Sequence, residues 1–434
     1  MTLLAHGVGS RTDLPIPLGL ALYGAGAAIL ISFAALLLLW RSPKLGGPSS
    51  GCPLPTGLQR VVDAPALRQV VQAVALALLV LVVAAALAGP EATERNLAPW
   101  ALYVTFWVGL VPASLLLGPV WRVANPLRLV HRVLRPLTPS APGVPRLPSL
   151  GLWPAAVSLT VFLWFELVYP GRADPGTVAA FLVGYAVVQS GLAFWFGEGW
   201  FARGDGFEVY STLIARLSPW GRRADGRLVL RNPLANATAT PAVPGLAAVV
   251  VVLLGSTAFD GLTRTAWWQS GPGAANDSLS GTLGLLAGIA LVAVLYLLGT
   301  RLSGRLAGQP AGVQPRRYAA TVIPIALGYT VAHYFSLLVL DGQTTWILAS
   351  NPFGLAGVDL LGTYGNVVDL TAVGPDAIAY VQVGAVVAGH VTGVTLAHER
   401  ALLSERHARA SDQLPLVVVM VLFTVGGLGL LFGF

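Results

Sequence analysis

Three ionisable side chains lie inside long apolar runs of this 434-residue sequence. Glu166, Asp260 and His333 are each surrounded mainly by aliphatic and aromatic residues. A carboxylate or an imidazole that faces hydrocarbon costs several kcal/mol, so such groups turn towards protein or water. We therefore expect these three side chains to line one polar cavity, where they bind a proton, another cation or a divalent metal.

Helical spacing adds two hydrogen-bond partners to this predicted cavity. Tyr329 precedes His333 by about one helical turn, so the two side chains share a face. Gln382 lies on the side of its apolar run that carries small residues, through which neighbouring helices pack closely. Tyr329 and Gln382 are thus predicted to orient whatever the three ionisable groups hold.

A purely structural role for the same residues stays open. Asp260 can pair with Arg264 one turn later, and Glu166 can pair with Arg172. His333 can hydrogen-bond across helices without binding a ligand. In that case the polar groups would be dispersed pairs and would form no common site.

Two further histidines, His390 and His398, lie on one apolar run. Eight residues place them about 80° away from a common helical face, which disfavours a haem between them and leaves a proton route as the other use. The single cysteine, Cys52, excludes an internal disulfide and a multi-cysteine metal site. No cofactor is predicted beyond a divalent metal.

The composition indicates a membrane protein. Hydrophobic residues make up 55% of the chain, charged residues make up 10%, and the mean hydropathy is +0.72. The net charge of +7 is explained by basic loops, so it does not indicate nucleic-acid binding.

Ten apolar runs are long enough to cross a membrane as helices of about 20 residues. We name them span 1 to span 10 in chain order. They cover roughly residues 15–40, 70–89, 97–121, 150–169, 177–200, 244–263, 280–300, 319–340, 376–398 and 414–433. The sequence therefore predicts a single all-α domain over residues 1–434, a bundle of about ten transmembrane helices.

Basic residues predict the orientation of this bundle. The loops after spans 1, 3, 5, 7 and 9 hold 22 of the 26 Lys and Arg residues. Because Lys and Arg are retained on the cytoplasmic side, both termini are predicted outside. In this orientation Glu166, Asp260, His333 and Gln382 all fall in the outer half of the membrane, which makes the predicted cavity outward-facing.

Three loop segments are predicted to have structure of their own. Segments 122–136 and 205–220 have amphipathic patterns typical of cytoplasmic helices that lie in the lipid headgroups. Each follows a Gly-x-x-Trp sequence at the end of a span, so spans 2 and 3 and spans 4 and 5 are candidates for a repeated hairpin. The outer loop 341–375 has no Lys or Arg and either forms a lid over the outer side or is a plain loop.

Three stretches resemble a known family. They are "WFELVYPGRADP" at 164–175, "IPIALGYTVAHYFSLLVLDGQ" at 323–343 and "VQVGAVVAGHVTGVTLAHERAL" at 381–402. They are similar to bacterial, mainly actinobacterial, polytopic membrane proteins labelled fenitrothion hydrolase-like. The resemblance implies location in the bacterial cell membrane and hydrolysis of an organophosphorus ester, assisted by a metal that Glu166, Asp260 and His333 would hold.

Three functions therefore stay open, and no catalytic residue is assigned. The favoured one is transport or ion and metal handling through an outward-facing polar site, with the lipid bilayer and a small ion or molecule as partners. The second is the membrane-embedded hydrolase that the resemblance implies. The third is a structural or assembly subunit without a ligand.

Overall fold

A computed structural model of the chain describes residues 18–46, 50–137, 147–404 and 409–432. In these ranges nine helical segments are long and apolar enough to cross a membrane: Leu22–Leu39, Pro65–Ala88, Leu97–Leu117, Pro175–Phe196, Leu246–Thr263, Ser278–Leu306, Gln314–Ala349, Pro375–Leu403 and Ala410–Phe432. They correspond to spans 1 to 3 and 5 to 10. The predicted outer position of the termini concerns residues outside these ranges and stays a prediction.

Span 4 is shorter than predicted. It is the helix Trp153–Leu167, whose 15 residues rise only about 22 Å, less than a hydrocarbon core of about 30 Å. Spans 3 and 8 each contain a π-helical stretch, Trp100–Val108 and Leu337–Asp341. The other helices of the described chain are short: Thr56–Asp63, Thr93–Arg95, Val120–Ala124, Pro126–Leu134, Arg135–Leu137, Leu147–Leu150, Glu198–Trp200, Phe201–Gly204, Gly206–Ile214, Ala215–Leu217, Pro233–Thr238 and Ala266–Ser270.

One small sheet accompanies the helices. Its strands are Cys52–Pro53, Trp220–Arg222 and Leu228–Leu230, paired antiparallel with the last strand in the middle. It joins the loop after span 1 to the loop after span 5. Hydropathy did not predict it, because these strands are only two or three residues long.

Spans 6 and 8 form the centre of the bundle. In their most apolar stretches 67% and 61% of the residues are buried, compared with 17% in span 2 and 22% in spans 5 and 7. The peripheral spans expose Val and Leu side chains, as helices in contact with lipid do. The two most buried spans are also those that carry Asp260 and His333, which fits the expectation that ionisable groups turn inwards.

Spans 8 and 9 touch through their backbones. A Cβ atom on Gly328 or on Gly389 would lie 3.1 Å from the Cα atom of the other glycine, and a Cβ atom on Gly393 would lie 3.0 Å from the carbonyl oxygen of Thr321. No side chain larger than hydrogen fits there without displacement. The small-residue face predicted for span 9 is therefore its contact with span 8.

The segment after span 8 is helical further than predicted. The helix continues through Gly342–Ala349, so the outer loop begins near Ser350. The Ser350 hydroxyl donates to the carboxylate of Asp359, and the Gln343 amide bonds the backbone of Asp369. Leu348 packs near the outer ends of spans 2 and 3. These contacts fold the loop against the bundle, and its role as a lid stays a prediction.

The two hairpins predicted as a possible repeat share local features where spans 3 and 5 end. Spans 3 and 5 both end at a glycine with positive φ, Gly118 at 90° and Gly197 at 84°. Each is followed by a break and then by a nine-residue helix, Pro126–Leu134 or Gly206–Ile214. Asn125 and Asp205 cap these helices through their side chains, and the two caps meet, since Asn125 Nδ2 donates to Asp205 Oδ2 over 2.8 Å.

The helix Gly206–Ile214 is buried on nearly all sides. Its residues pack against span 3 and span 4, with Tyr210 stacked on Trp107 at 4.6 Å between ring centroids. Glu208 does not close a capping box but accepts two hydrogen bonds from Arg128, at 2.8 and 2.6 Å. A helix lying in headgroups would expose its polar face, whereas this one buries Glu208 against the hairpin of spans 2 and 3.

Span 9 also fixes the end of span 1. The buried carboxylate of Glu399 accepts from the indole of Trp40 at 2.8 Å and from the backbone N–H groups of Lys44 and Leu45 at 3.0 and 2.8 Å. His398 Nε2 lies 2.9 Å from the Trp40 carbonyl oxygen. The His398 contact satisfies a carbonyl group that the end of a helix leaves without a partner, and the Glu399 contacts hold the loop that follows.

Candidate functional site

Asp260 and His333 form a hydrogen-bonded pair between the two central spans. His333 Nε2 lies 2.6 Å from Asp260 Oδ2, and both side chains are 1% exposed. Asp260 lies one turn before the end of span 6, and His333 lies one turn before the π-helical stretch of span 8. Two of the three predicted ionisable groups therefore meet.

Arg264 and Tyr334 complete this cluster, which we call the Asp260–His333 cluster. Arg264 Nη2 lies 3.1 Å from His333 Nε2, and the Tyr334 hydroxyl donates to Asp260 Oδ2 at 3.2 Å. Arg264 is the residue that ends span 6 and is itself exposed. The cluster thus connects a buried acid–base pair to a cation at the surface, on the predicted outer side.

The geometry around His333 Nε2 constrains where a proton lies. An oxygen–nitrogen distance of 2.6 Å requires a proton between Asp260 and His333. If Nε2 carries the proton, that nitrogen has no lone pair left to accept a hydrogen bond from the Arg264 guanidinium. If Asp260 carries it, Nε2 is an acceptor that two donors share. The pair therefore has two proton positions, and Arg264 distinguishes between them.

Glu166 lies near this cluster but is not bonded to it in the described contacts. The side chain is buried, and its Oε2 atom has no hydrogen-bond partner among the described residues. Asp260 and Arg172 are the charged groups that act on it, and its own charge acts on Tyr103, Tyr210 and Tyr334. Glu166 is thus a second buried acid within electrostatic range of the first and of three tyrosines.

The two predicted orienting residues differ in their positions. Tyr329 stacks on His333 with 6.0 Å between ring centroids, and its buried hydroxyl has no hydrogen-bond partner in the described part of the chain. Gln382 is only partly buried, and no hydrogen bond of its side chain occurs within the described residues. Tyr329 therefore belongs to the environment of His333, whereas a role for Gln382 stays a prediction.

A metal site is not formed by these groups. Within the described ranges no three His, Cys, Asp or Glu side chains are grouped closely enough to hold a metal ion. Asp260 and His333 supply two ligands at most, and a water-activating metal is ordinarily held by three. The site predicted from Glu166, Asp260 and His333 thus lacks the ligand set that metal chemistry needs.

The secondary histidines are each bonded separately. His390 Nδ1 donates to the Val386 carbonyl at 2.8 Å, and its Nε2 atom has no partner among the described residues. His398 has both ring nitrogens in contact, with Gln413 Oε1 and the Trp40 carbonyl oxygen, each at 2.9 Å. Because both nitrogens of His398 are occupied, the two histidines do not form a haem site in this arrangement.

Sequence reasoning missed Tyr334 as a member of the cluster. Tyr334 follows His333 directly in the sequence and therefore points about 100° away around the helix. Because only residues about one turn apart share a face, helical spacing places Tyr334 on a different face from His333. Arg264 was expected to pair with Asp260, and the contact that it makes here is with His333. The available signal was the exposed end of span 6, where a long cationic side chain can reach back over one turn.

Comparisons with models of known protein families, with curated proteins and with solved structures find no match to this chain. The resemblance to fenitrothion hydrolase-like proteins therefore stays a prediction, and the function has to be argued from the fold and the site alone.

Proposed function

We propose that this chain is a proton-coupled transporter of a cell membrane and that Asp260 and His333 form its proton-binding site. The observation that carries the proposal is the 2.6 Å contact between the acid and the imidazole, buried between the two central spans and touched by Arg264. An ionisable pair inside a membrane bundle is expensive to maintain and is typical of proton relays.

The cluster has the parts that a proton site needs. The shared proton has a base on either side, and Arg264 contacts the same ring nitrogen of His333. Glu166 provides another buried acid within electrostatic range of Asp260. A change in the position of Arg264 would therefore shift the proton, which is how a surface event can be coupled to a buried one.

The hydrolase alternative has less support from the same residues. Metal-assisted hydrolysis needs a ligand set that the described side chains do not form. A structural role explains the Asp260–His333 contact but does not explain why Glu166 Oε2 and the Tyr329 hydroxyl are buried without a hydrogen bond to any described residue. Proton-coupled transport explains both, because water or substrate would contact them during a transport cycle.

The experiment is a proton flux measurement in proteoliposomes that contain a pH-sensitive dye. A potassium gradient with valinomycin sets the membrane potential that drives protons inwards. We expect the wild-type protein to conduct protons well above protein-free vesicles, and Asp260→Asn and His333→Gln to fall to the level of those vesicles.

Asp376→Asn is the matched control, since Asp376 is an exposed carboxylate in the first turn of span 9. Its flux should equal that of the wild type. Flux in Asp260→Asn equal to the wild type, or no flux in the wild type above protein-free vesicles, would refute the proposal.

A further inference from the structure

A small cavity lies between the ends of spans 1, 7, 8, 9 and 10 on the predicted inner side. Its polar lining consists of Ser303, Tyr318, His398 and Gln413, and the rest is apolar. Ser303, His398 and Gln413 are 5%, 3% and 7% exposed. The cavity thus has a mainly apolar lining, into which a few buried polar side chains project.

Two polar atoms of this lining have no partner. Ser303 Oγ and Gln413 Nε2 are buried without a hydrogen bond to any described residue. Buried polar atoms of this kind ordinarily bind an ordered water molecule, which can accept from an amide and also donate to a hydroxyl.

The contacts of His398 contain one acceptor too many for a neutral ring. Nε2 faces the carbonyl oxygen of Trp40, and Nδ1 faces the side-chain oxygen of Gln413. A neutral imidazole has one N–H, so it can donate to only one of these oxygens. Either His398 carries two protons, or the Gln413 amide is turned so that its nitrogen donates to Nδ1.

Both arrangements leave one end of the Gln413 amide directed away from His398. When His398 carries two protons, that end is Nε2, a donor. When His398 is neutral, that end is Oε1, an acceptor. A water molecule between Gln413 and Ser303 can serve either end, so rotation of the amide exchanges one satisfied arrangement for the other.

We infer that His398 is a second proton-binding site, in which protonation of Nδ1 is coupled to rotation of the Gln413 amide and to a water molecule in the cavity. The inference deepens the proposed function and rests on it, because a proton bound at the Asp260–His333 cluster has to leave on the other side of the membrane.

The charged and titratable groups around His398 permit this change. Glu399 on the same span holds Trp40 and the following loop, and Asp412 precedes Gln413 on span 10. Tyr318 faces the cavity from span 8, and spans 1 and 7 contribute Phe33 and Ser303 to its lining.

The test is ¹⁵N NMR of the full-length protein in lipid with labelled histidine, because imidazole nitrogen shifts distinguish one N–H from two. His398→Gln assigns the signal. We expect His398 to show one N–H at about pH 8 and two at about pH 5.

Gln413→Leu removes the acceptor at Nδ1 and should hold His398 in the neutral form with Nε2–H over the whole range. His390 is the control in the same spectra, since its Nδ1–H is bonded to the Val386 carbonyl and should remain the single N–H. An unchanged His390 signal also shows that the variant is folded.

A wild-type His398 that keeps one protonation form throughout, or a Gln413→Leu variant that titrates like the wild type, would overturn the inference. The spectra measure His398 without any proton flux. Failure of this site is therefore separate from failure of the proposed transport, which the vesicle experiment measures through Asp260 and His333.

Discussion

The contact between Asp260 and His333 predicts strong energetic coupling between the two residues. At 2.6 Å the hydrogen bond between Asp260 and His333 is short, and a hydrogen bond to a charged group contributes about 1.5 to 3 kcal/mol. Removing one partner of such a buried pair costs about 3 to 5 kcal/mol, because the other group stays buried alone. When both side chains are removed, neither is left buried without its partner. The double variant should therefore be more stable than the sum of the two single changes implies.

The measurement is a double-mutant cycle with Asp260→Ala, His333→Ala and the combined variant. The free energy of unfolding is obtained by SDS titration in mixed micelles, followed by tryptophan fluorescence. We expect a coupling energy of about 2 kcal/mol or more. Asp260→Ala combined with Glu399→Ala is the control, since these residues lie on opposite predicted sides of the membrane and share no partner among the described contacts.

The control cycle should be additive to within about 0.5 kcal/mol. If the Asp260 and His333 changes were additive as well, the two side chains would not form a pair in the folded protein. The assignment of the proton site would then be wrong, whatever the flux measurements gave.

Three further predictions concern packing, the contact of span 9 with span 1, and pH. Gly389→Val places carbon atoms against the backbone of Pro324 and should lower the free energy of unfolding by about 1 to 3 kcal/mol in the SDS titration. Gly384→Val, at an open position, is the control and should change it by less than about 0.5 kcal/mol. Equal losses in the two variants would contradict the close contact of spans 8 and 9. Glu399→Gln replaces a carboxylate that accepts from three donors and should cost about 2 kcal/mol in the same titration, and an unchanged midpoint would show that these hydrogen bonds are not formed. Burial, and then the charge of its neighbouring acid, raises the pKa of Asp205 from 3.8 to about 6, so the folded protein binds this proton more tightly than the unfolded chain. The charged Asp205 carboxylate therefore lowers the free energy of unfolding above about pH 6. Lowering the pH to about 4 should raise that free energy by up to about 3 kcal/mol in the wild type but not in Asp205→Asn. The same pH profile in both proteins would contradict the assignment.

The spans and the pair between them could be predicted from sequence because both follow from the energetics of hydrocarbon. A run of about 20 apolar residues has few alternatives to a membrane-spanning helix. The same solvation penalty directs Asp260 and His333 inwards, and only the inner sides of central spans meet. Glu166 was expected at the same point for the same reason, and it lies within electrostatic range of the pair without a hydrogen bond to it.

Features that depend on how helices cross could not be predicted in this way. A helical stripe gives the direction of each side chain from its own axis, and it does not give the angle between two axes. Tyr334 reaches Asp260 because span 6 passes between the directions of Tyr334 and His333. The helix Gly206–Ile214 has the pattern of a surface helix, yet spans 3 and 4 cover it. Its Glu208 can be buried because Arg128 donates hydrogen bonds to its carboxylate.

The meeting of the two caps has a consequence for how the chain is assembled. The side chain of Asn125 ends the first hairpin, and its amide protons are received by Asp205 and Glu208, about eighty residues later in synthesis. Until that second segment is synthesised, the Asn125 amide at the end of the first hairpin lacks these two acceptors. The contacts of Asn125 with Asp205 and Glu208 can therefore form only after that second segment has been synthesised.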